Sequence, residues 1–358
     1  MPFSSAANFD PSQRDKQCDV GPPRRAPSHP ASVRPHAAPA QARSSEDAPA
    51  HPDETLHPSS FRSVHESVQD APYASVIIPC RDCLDVIGFQ LDALARQQLE
   101  RPWEVLLVDN GGNEGFEAVL EPFRERLPGL RLLAAQEVRG SAHARNWGAA
   151  QARGELLLFV DADDEVGEGW LEAMVAALKI HDFVACRVDF DKLNPEAAGR
   201  ARRNTQQWGL QQYTYPDFLP HAAGGTLGIR RAVHDEVGGF NTELYKLQDT
   251  DYCWRVQIAG HALHFVPDAL IHYRLRETLR ETVRQAFRYG EYNVKLYSLY
   301  QDCGMGKITL RQGLRAWYYL LRSLPDLFRL EDRARVLWSL VWRFGRLYGS
   351  LRYRVFAV

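Results

Sequence analysis

Short apolar runs and helical stripes alternate through the middle of this chain. Residues 74–79 read Ala-Ser-Val-Ile-Ile-Pro, a β-branched run closed by proline, which predicts a buried strand. Residues 84–98 then place Val86, Phe89, Leu91, Leu94 and Ala95 roughly on one side, as an amphipathic helix does. Residues 104–109 predict a second strand, ended by the turn signal Asn110-Gly111-Gly112. A helix over 116–126, a strand over 130–134, an alanine-rich helix over 142–152 and a strand over 155–160 follow. Further on the pattern predicts a helix over 170–179, a strand over 183–190 and a polar loop over 191–220. It continues with a glycine-bearing strand over 224–229, a helix over 249–259 and a short edge element beginning at 264–267. Strands nearly continuous in apolar residues, alternating with helices, argue for a parallel sheet buried on both faces. No internal repeat is visible.

The two ends differ from this middle. Residues 1–70 hold 11 of the 21 prolines and show no hydrophobic periodicity. Such a segment cannot bury enough apolar surface to offset its ordering entropy, so a disordered tail is expected and no function is assigned to it. From residue 279 onward the pattern is helical, with arginines among Trp, Tyr, Phe and Leu. Residues 271–358 carry 17 Lys/Arg against 7 Asp/Glu, a net of +10, which leaves −12 for the rest of a chain whose net is −2. Two readings stay open. Basic helices with interfacial aromatics can lie on an anionic membrane surface, or they can form a cap packed on the domain with arginines in solvent. The expected organisation is a tail over 1–70, an α/β domain over 71–275 and a basic, aromatic helical region over 276–358.

Composition adds bounds. At 358 residues the chain suits one large α/β domain with appendages, and 45% hydrophobic with 25% charged residues is ordinary for a soluble globular protein. No apolar run reaches the about 18 residues that a spanning helix needs, and no charged-then-apolar leader opens the chain. The six cysteines are scattered, which fits a reducing cytoplasm better than a disulfide scaffold. The expected location is therefore cytoplasmic, peripheral at the inner membrane face if the C-terminal helices bind there. Cys80-Arg81-Asp82-Cys83 has CxxC spacing without a second pair at zinc-ribbon distance, leaving a redox dithiol open. No nucleic-acid partner is expected.

Chemistry concentrates where the strand at Leu156-Leu-Leu-Phe-Val runs into Asp161-Ala162-Asp163-Asp164. Carboxylates at the C-terminal end of such a strand face the crevice where open α/β sheets bind ligands. Oxygen ligands of this kind suit a hard cation, Mg²⁺ or Mn²⁺, held together with substrate phosphates. The plain alternative is a solvated acidic turn, since Asp favours turns and N-caps.

Several segments, taken in order, resemble an inverting glycosyltransferase of family 2 on the nucleotide-sugar-binding GT-A fold, a Rossmann-like, mostly parallel sheet flanked by helices, here with a C-terminal helical region. The resemblance covers about residues 74–275. It rests on Ser75-Val-Ile-Ile-Pro79, on Val105-Leu-Leu-Val-Asp109 and on Ala144-Arg145-Asn146-Trp147-Gly148. It continues through the DxD motif at 161–164, Gly238-Gly239-Phe240, Gln248-Asp249-Thr250-Asp251, and His272 after a proline-bearing strand.

This resemblance implies roles. Asp163 is the expected metal ligand, with His272 completing coordination or contacting phosphates. Asp161 belongs nearer the ribose or the metal's outer surroundings, and Asp164 either shares those jobs or caps a helix. Asp109 is expected at the nucleoside, with Pro79 and Arg81 bordering the base, although Arg81-Asp82 departs from the family's usual aromatic-Asn pair. Arg145 either reaches the nucleotide or pairs with a site carboxylate. Gly224 and Gly225 either let backbone approach the sugar or acceptor closely or form a bulge. Asp249 is the candidate general base, with Asp251 its rival. The family usually has Glu-Asp where this chain has Gln248-Asp249, and loss of that neighbouring charge should ease ionisation of Asp249. The expected partners are a nucleotide-diphosphate sugar donor and a glycan or lipid-linked acceptor, in metal-dependent inverting transfer for cell-envelope or polysaccharide synthesis. The competing readings are a nucleotidyltransferase, which would carry a glycine-rich basic loop after strand one, and a non-catalytic membrane-associated binding protein.

Overall fold

The computed structural model describes residues 71–357 except 113, 196–203 and 277; the expected tail over 1–70 lies outside the described residues. Among the described residues one eight-stranded sheet runs in the order β3-β2-β1-β4-β7-β6-β8-β5. Here β1 is Ala74–Cys80, β2 Trp103–Asp109, β3 Arg131–Ala134, β4 Leu156–Phe159, β5 Glu165–Val166, β6 Phe183–Asp189, β7 Leu227–Arg230 and β8 Leu263–His272. The near-continuous apolar runs have the expected cause. Val76, Ile78, Val105, Leu107 and Leu158 enter a core on one face, while Ile77, Leu106, Val108, Leu157 and Phe159 enter a second core on the other. With about 1.5–3 kcal/mol for each large apolar side chain fully buried, both faces hold the sheet in place.

The sheet is mixed rather than parallel throughout. β1, β2, β3 and β4 pair in parallel, as do β6 and β8, but β7 runs antiparallel to both β4 and β6, and β5 antiparallel to β8. An apolar run carries no label for its direction, so the sequence pattern could not supply this. The expected strand at 224–229 is instead a 3-10 turn over Gly224–Thr226 feeding β7. The element expected at an edge from 264 is a ten-residue strand lying between β6 and β5. It tolerates Pro267 because the β6–β8 register shifts between Cys186/Arg187, so Cys186 faces Val266 and Arg187 faces Leu270. Proline, which cannot donate to a ladder, sits in that irregularity. The dipeptide strand β5 was too short to announce itself.

Helices α1 (Ile87–Ala95), α2 (Phe116–Leu120), α3 (Ser141–Gln151), α4 (Trp170–Ile180), α5 (Arg231–Glu236) and α6 (Gln248–Ile258) flank the sheet. α3 sets the cleft geometry. A Cβ at Gly148 would stand 2.5 Å from Ile77 Cγ2 and 2.9 Å from Val108 Cγ2, so its absence lets the helix press onto β1 and β2. This close seat puts Arg145, one turn earlier, over the C-terminal ends of the central strands.

The C-terminal region is α7 (Leu279–Tyr300), α8 (Leu310–Ser323) and α9 (Leu330–Tyr353). α7 packs on the domain through a third core that joins Val294, Tyr297 and Tyr300 to Leu244 and Trp254 of the domain. α7 and α9 cross at glycine: a Cβ on Gly290 would lie 2.0 Å from Trp342 O, and one on Gly345 2.1 Å from Phe287 O. Arg346 is buried in this cap, donating to Ala357 O, so the arginines are not all in solvent. No helix among the described residues is long and apolar enough to cross a membrane.

Candidate active site

A cleft of about 810 Å³ opens at the C-terminal ends of β1, β2 and β4 and is closed on the far side by α7. Pro79, Arg81, Arg145, Asp161, Asp163 and Asp249 all line it. These residues come from five separate elements or loops.

Arg145 answers the open question about its partner. It is 3% exposed and its Nη2 donates to Asp161 Oδ1 at 2.5 Å. Its Nε and Nη1 find no protein acceptor, leaving two buried donors over. The glycine pair explains how this contact fits. A Cβ on Gly224 would meet Arg145 Cζ at 3.0 Å, and one on Gly225 would meet Asp161 Cγ at 2.7 Å. Gly224 and Gly225 thus form neither a bulge nor a gap: their missing side chains are filled by the ion pair.

Asp249 stands at the first turn of α6, where the helix dipole favours an acid. Its Oδ2 accepts from Gly224 N at 3.1 Å and its Oδ1 from Thr250 N at 2.9 Å, so the carboxylate is fixed. Burial raises its pKa, and the Arg145 charge only partly offsets this. The easing expected from Gln248 is therefore outweighed by desolvation. Gln248 itself donates to Ser141 Oγ at 3.0 Å. The rival Asp251 is elsewhere: fully buried, it pairs with Arg255 Nε at 2.9 Å and accepts from the Tyr300 hydroxyl at 2.7 Å. Its role is structural.

The acidic turn splits into distinct tasks. Asp163 is about one-third exposed and faces the cleft, with Arg276 Nη1 3.9 Å away. Burial, and next the Asp161 charge, push its pKa up, with Arg276 opposing. Asp164 is buried and accepts Arg274 N–H at 2.9 Å, tying the turn to the chain after β8; it caps no helix. Burial, then Asp163 and Asp161, raise it well above the carboxylate range. Gln90 of α1 braces the turn from behind, donating to Asp161 O at 3.2 Å and accepting from Val166 N at 2.9 Å. Sequence reading missed it, though a polar residue on the buried face of α1 was a usable signal.

Asp109 ends β2, where Oδ1 accepts from Gly111 and Gly112 N–H and Oδ2 from Gln136 Nε2, each at 3.0 Å. Asn110 beside it lines the cleft and accepts from Gly140 N at 2.7 Å, fixing the start of α3. His272 is not brought to the acidic turn. It sits opposite Glu165 in β5, holds Asp189 Oδ2 at 3.0 Å through Nδ1, and lines a separate pocket with Lys192 and Arg96. The CxxC pair lines the cleft wall, but burial foremost drives the Cys80 thiol well above its ordinary pKa, against the reactive thiolate a redox dithiol needs. Lys246, Tyr213, Gln285, Tyr289 and Asn293 also line the cleft and carried no sequence signal.

A divalent ion fits this chemistry in one particular way. Among the described residues no three His, Cys, Asp or Glu side chains group to cage a metal. Asp163, an oxygen donor open to the cleft beside Asp161, fits an ion held by one or two carboxylates together with substrate phosphates.

Comparison with known proteins places the chain among glycosyltransferases. Residues 75–238 match the Glycosyl transferase family 2 profile. Glycosyltransferase AglE of Haloferax volcanii is 29% identical over 259 residues, covering 71% of this chain and 82% of that protein. Polypeptide N-acetylgalactosaminyltransferase 6 of Bos taurus is 25% identical over 241 residues, which is 60% of this chain and only 39% of that relative's length. Among solved structures, the mannosyltransferase PcManGT from Pyrobaculum calidifontis, in complex with GDP-Man and Mn²⁺, superposes with a TM-score of 0.55 at 18% identity, over 78% of this chain and 87% of that one. That likeness is one of fold.

Proposed function

We propose that this chain, as a glycosyltransferase of family 2, moves a sugar from a nucleotide-diphosphate donor to an acceptor hydroxyl by a single inverting displacement. The observation that carries the reading is the convergence of Arg145, Asp161, Asp163 and Asp249 in one cleft. Asp163 would hold Mg²⁺ or Mn²⁺ with the donor phosphates, and such an ion supplies charge neutralisation for the departing diphosphate. The solved relative of the same fold carries GDP-Man with Mn²⁺, which supports a donor and cation of this class.

The chain's own residues do the rest. Arg145 holds Asp161 in place and keeps two further donors beside it. Asp109, with Pro79 and Arg81 near the β1 end, belongs to the nucleoside side. Asp249 takes the proton of the acceptor hydroxyl as the new bond forms. Its raised pKa makes it a better base than an ordinary carboxylate, provided it is ionised at the working pH. With Asp249 acting as base rather than nucleophile, an α-linked donor gives a β-linked product. The acceptor is a hydroxyl of a glycan or a lipid-linked saccharide, in keeping with cell-envelope or polysaccharide synthesis.

The experiment is a screen of nucleotide sugars for turnover with Mn²⁺ or Mg²⁺, repeated with EDTA and with Asp163→Ala. Loss of turnover in both arms is expected. Undiminished turnover in EDTA would remove the cation from the mechanism.

A further inference from the structure

Helix α8 turns an apolar face outward. Within it only Gly313 and Leu320 are buried, while Leu310, Leu314, Tyr318 and Leu321 are 54–62% exposed. At 3.6 residues per turn these four fall within an arc of about 80°. Arg311, Arg315 and Arg322 occupy the adjoining arc of about 40°. No ion pair among the described residues engages those three arginines; Arg315 and Arg322 lean instead on the hydroxyls of Tyr319 and Tyr318. Arg335, by contrast, is paired with Asp332. After the helix, Phe328 stands 93% exposed.

We propose that α8 and Phe328 form a docking surface for an anionic lipid bilayer, with the helix lying in the plane of the interface. The charge pattern selects this occupant. An apolar stripe bordered on one side by unpaired arginines matches acyl chains below and acidic headgroups beside them. A second copy of this chain would set arginine against arginine, in a region whose net charge is +10. The helix is also built to persist at such an interface: Thr309 and Gln312 close a reciprocal capping box at its start.

The surface is coupled to the cleft by packing. α8 leads through the 3-10 turn Leu324–Phe328 into α9, which is locked against α7, and α7 lines the cleft with Gln285, Tyr289 and Asn293. A bilayer held at α8 therefore lies on the same helical cap that walls the cleft. Where this bears on the acceptor, it rests on the proposed transfer reaction and points to an acceptor carried on a lipid.

The test is flotation of the full chain with vesicles of phosphatidylcholine alone and of phosphatidylcholine mixed with phosphatidylglycerol, at low and high salt. Binding to the anionic vesicles, weakened by salt, is expected. The double variant L314E/L321E should stay in the bottom fraction with an unchanged melting temperature, since both positions are exposed. Replacing Arg311, Arg315 and Arg322 with Gln should weaken binding about a hundredfold. Nucleotide-diphosphate binding, measured separately by calorimetry, should be the same in all variants, so a failed transfer reaction would not be mistaken for a failed surface. Flotation unchanged by L314E/L321E overturns the proposal, as does absence of wild-type flotation. Self-association of the wild type that L314E/L321E abolishes also overturns it, by making this face an interface between copies.

Discussion

Buried Arg145 and half-buried Asp161 form a contact, Nη2 to Oδ1 at 2.5 Å, between a helix and the turn that ends the central strand. Removing Arg145 strands a carboxylate that solvent still reaches, so the cost is that of a charge-assisted hydrogen bond, about 1.5–3 kcal/mol. Arg145→Gln should therefore lower the melting temperature clearly, and divalent cations should restore part of the loss by standing near the freed carboxylates. A melting curve of R145Q identical to wild type would show that the pair carries no such weight.

Gly225 tests the same contact from the opposite side. A methyl group there would lie 2.7 Å from Asp161 Cγ and 2.8 Å from its Oδ2. Gly225→Ala should displace Asp161 and cut kcat/KM by at least about tenfold, while far-ultraviolet circular dichroism stays native. Full activity in G225A would mean that Asp161 can move without consequence.

Asp249 and Asp251 lie two residues apart and should separate cleanly. Asp249→Asn should reduce transfer by about 10²–10⁴-fold and leave both melting temperature and nucleotide binding near wild type. Asp251→Asn should do the reverse, lowering stability by about 3–5 kcal/mol through the stranded Arg255. Because burial raises Asp249, the acid limb of the kcat/KM profile should lie above the ordinary carboxylate value of 3.8. A profile flat to that value, or an active D249N, would take the base role away from this residue.

Buried histidines make stability fall toward acid. Burial foremost, with help from Arg231 and Arg255, pushes His234 down to about 4, and burial does the same to His221. Below the ordinary 6.5 the unfolded chain takes up protons that the folded chain refuses. Stability from these groups is thus complete above pH 6.5 and lost as pH falls toward 4. His234 alone should account for about 3 kcal/mol over that window. Asp163, Asp164 and Asp249, raised by burial, act with the opposite sign near its lower edge. Urea titrations of wild type and His234→Asn at pH 7 and 4.5 isolate the histidine: a difference that does not change with pH would refute it.

The sequence alone settled what short-range physics settles. Apolar runs at 74–79, 104–109 and 155–160 became β1, β2 and β4 within a residue or so at each end, because strands buried on both faces need unbroken apolar side chains. Carboxylates at the ends of β2 and β4 were legible for the same reason, as the strand end fixes the crevice. Tertiary structure decided what depends on distant partners. The direction of β7, the interior place of β8 and the departure of His272 to another pocket follow from strand order, which no local pattern encodes. So does the sorting of Asp249 into the cleft and Asp251 into a buried pair, where about half a turn of α6 separates a cleft-lining carboxylate from structural support. Arg145 reached Asp161 only because two glycines 79 and 80 positions further on left the room, a coincidence of space that becomes visible once the chain has folded.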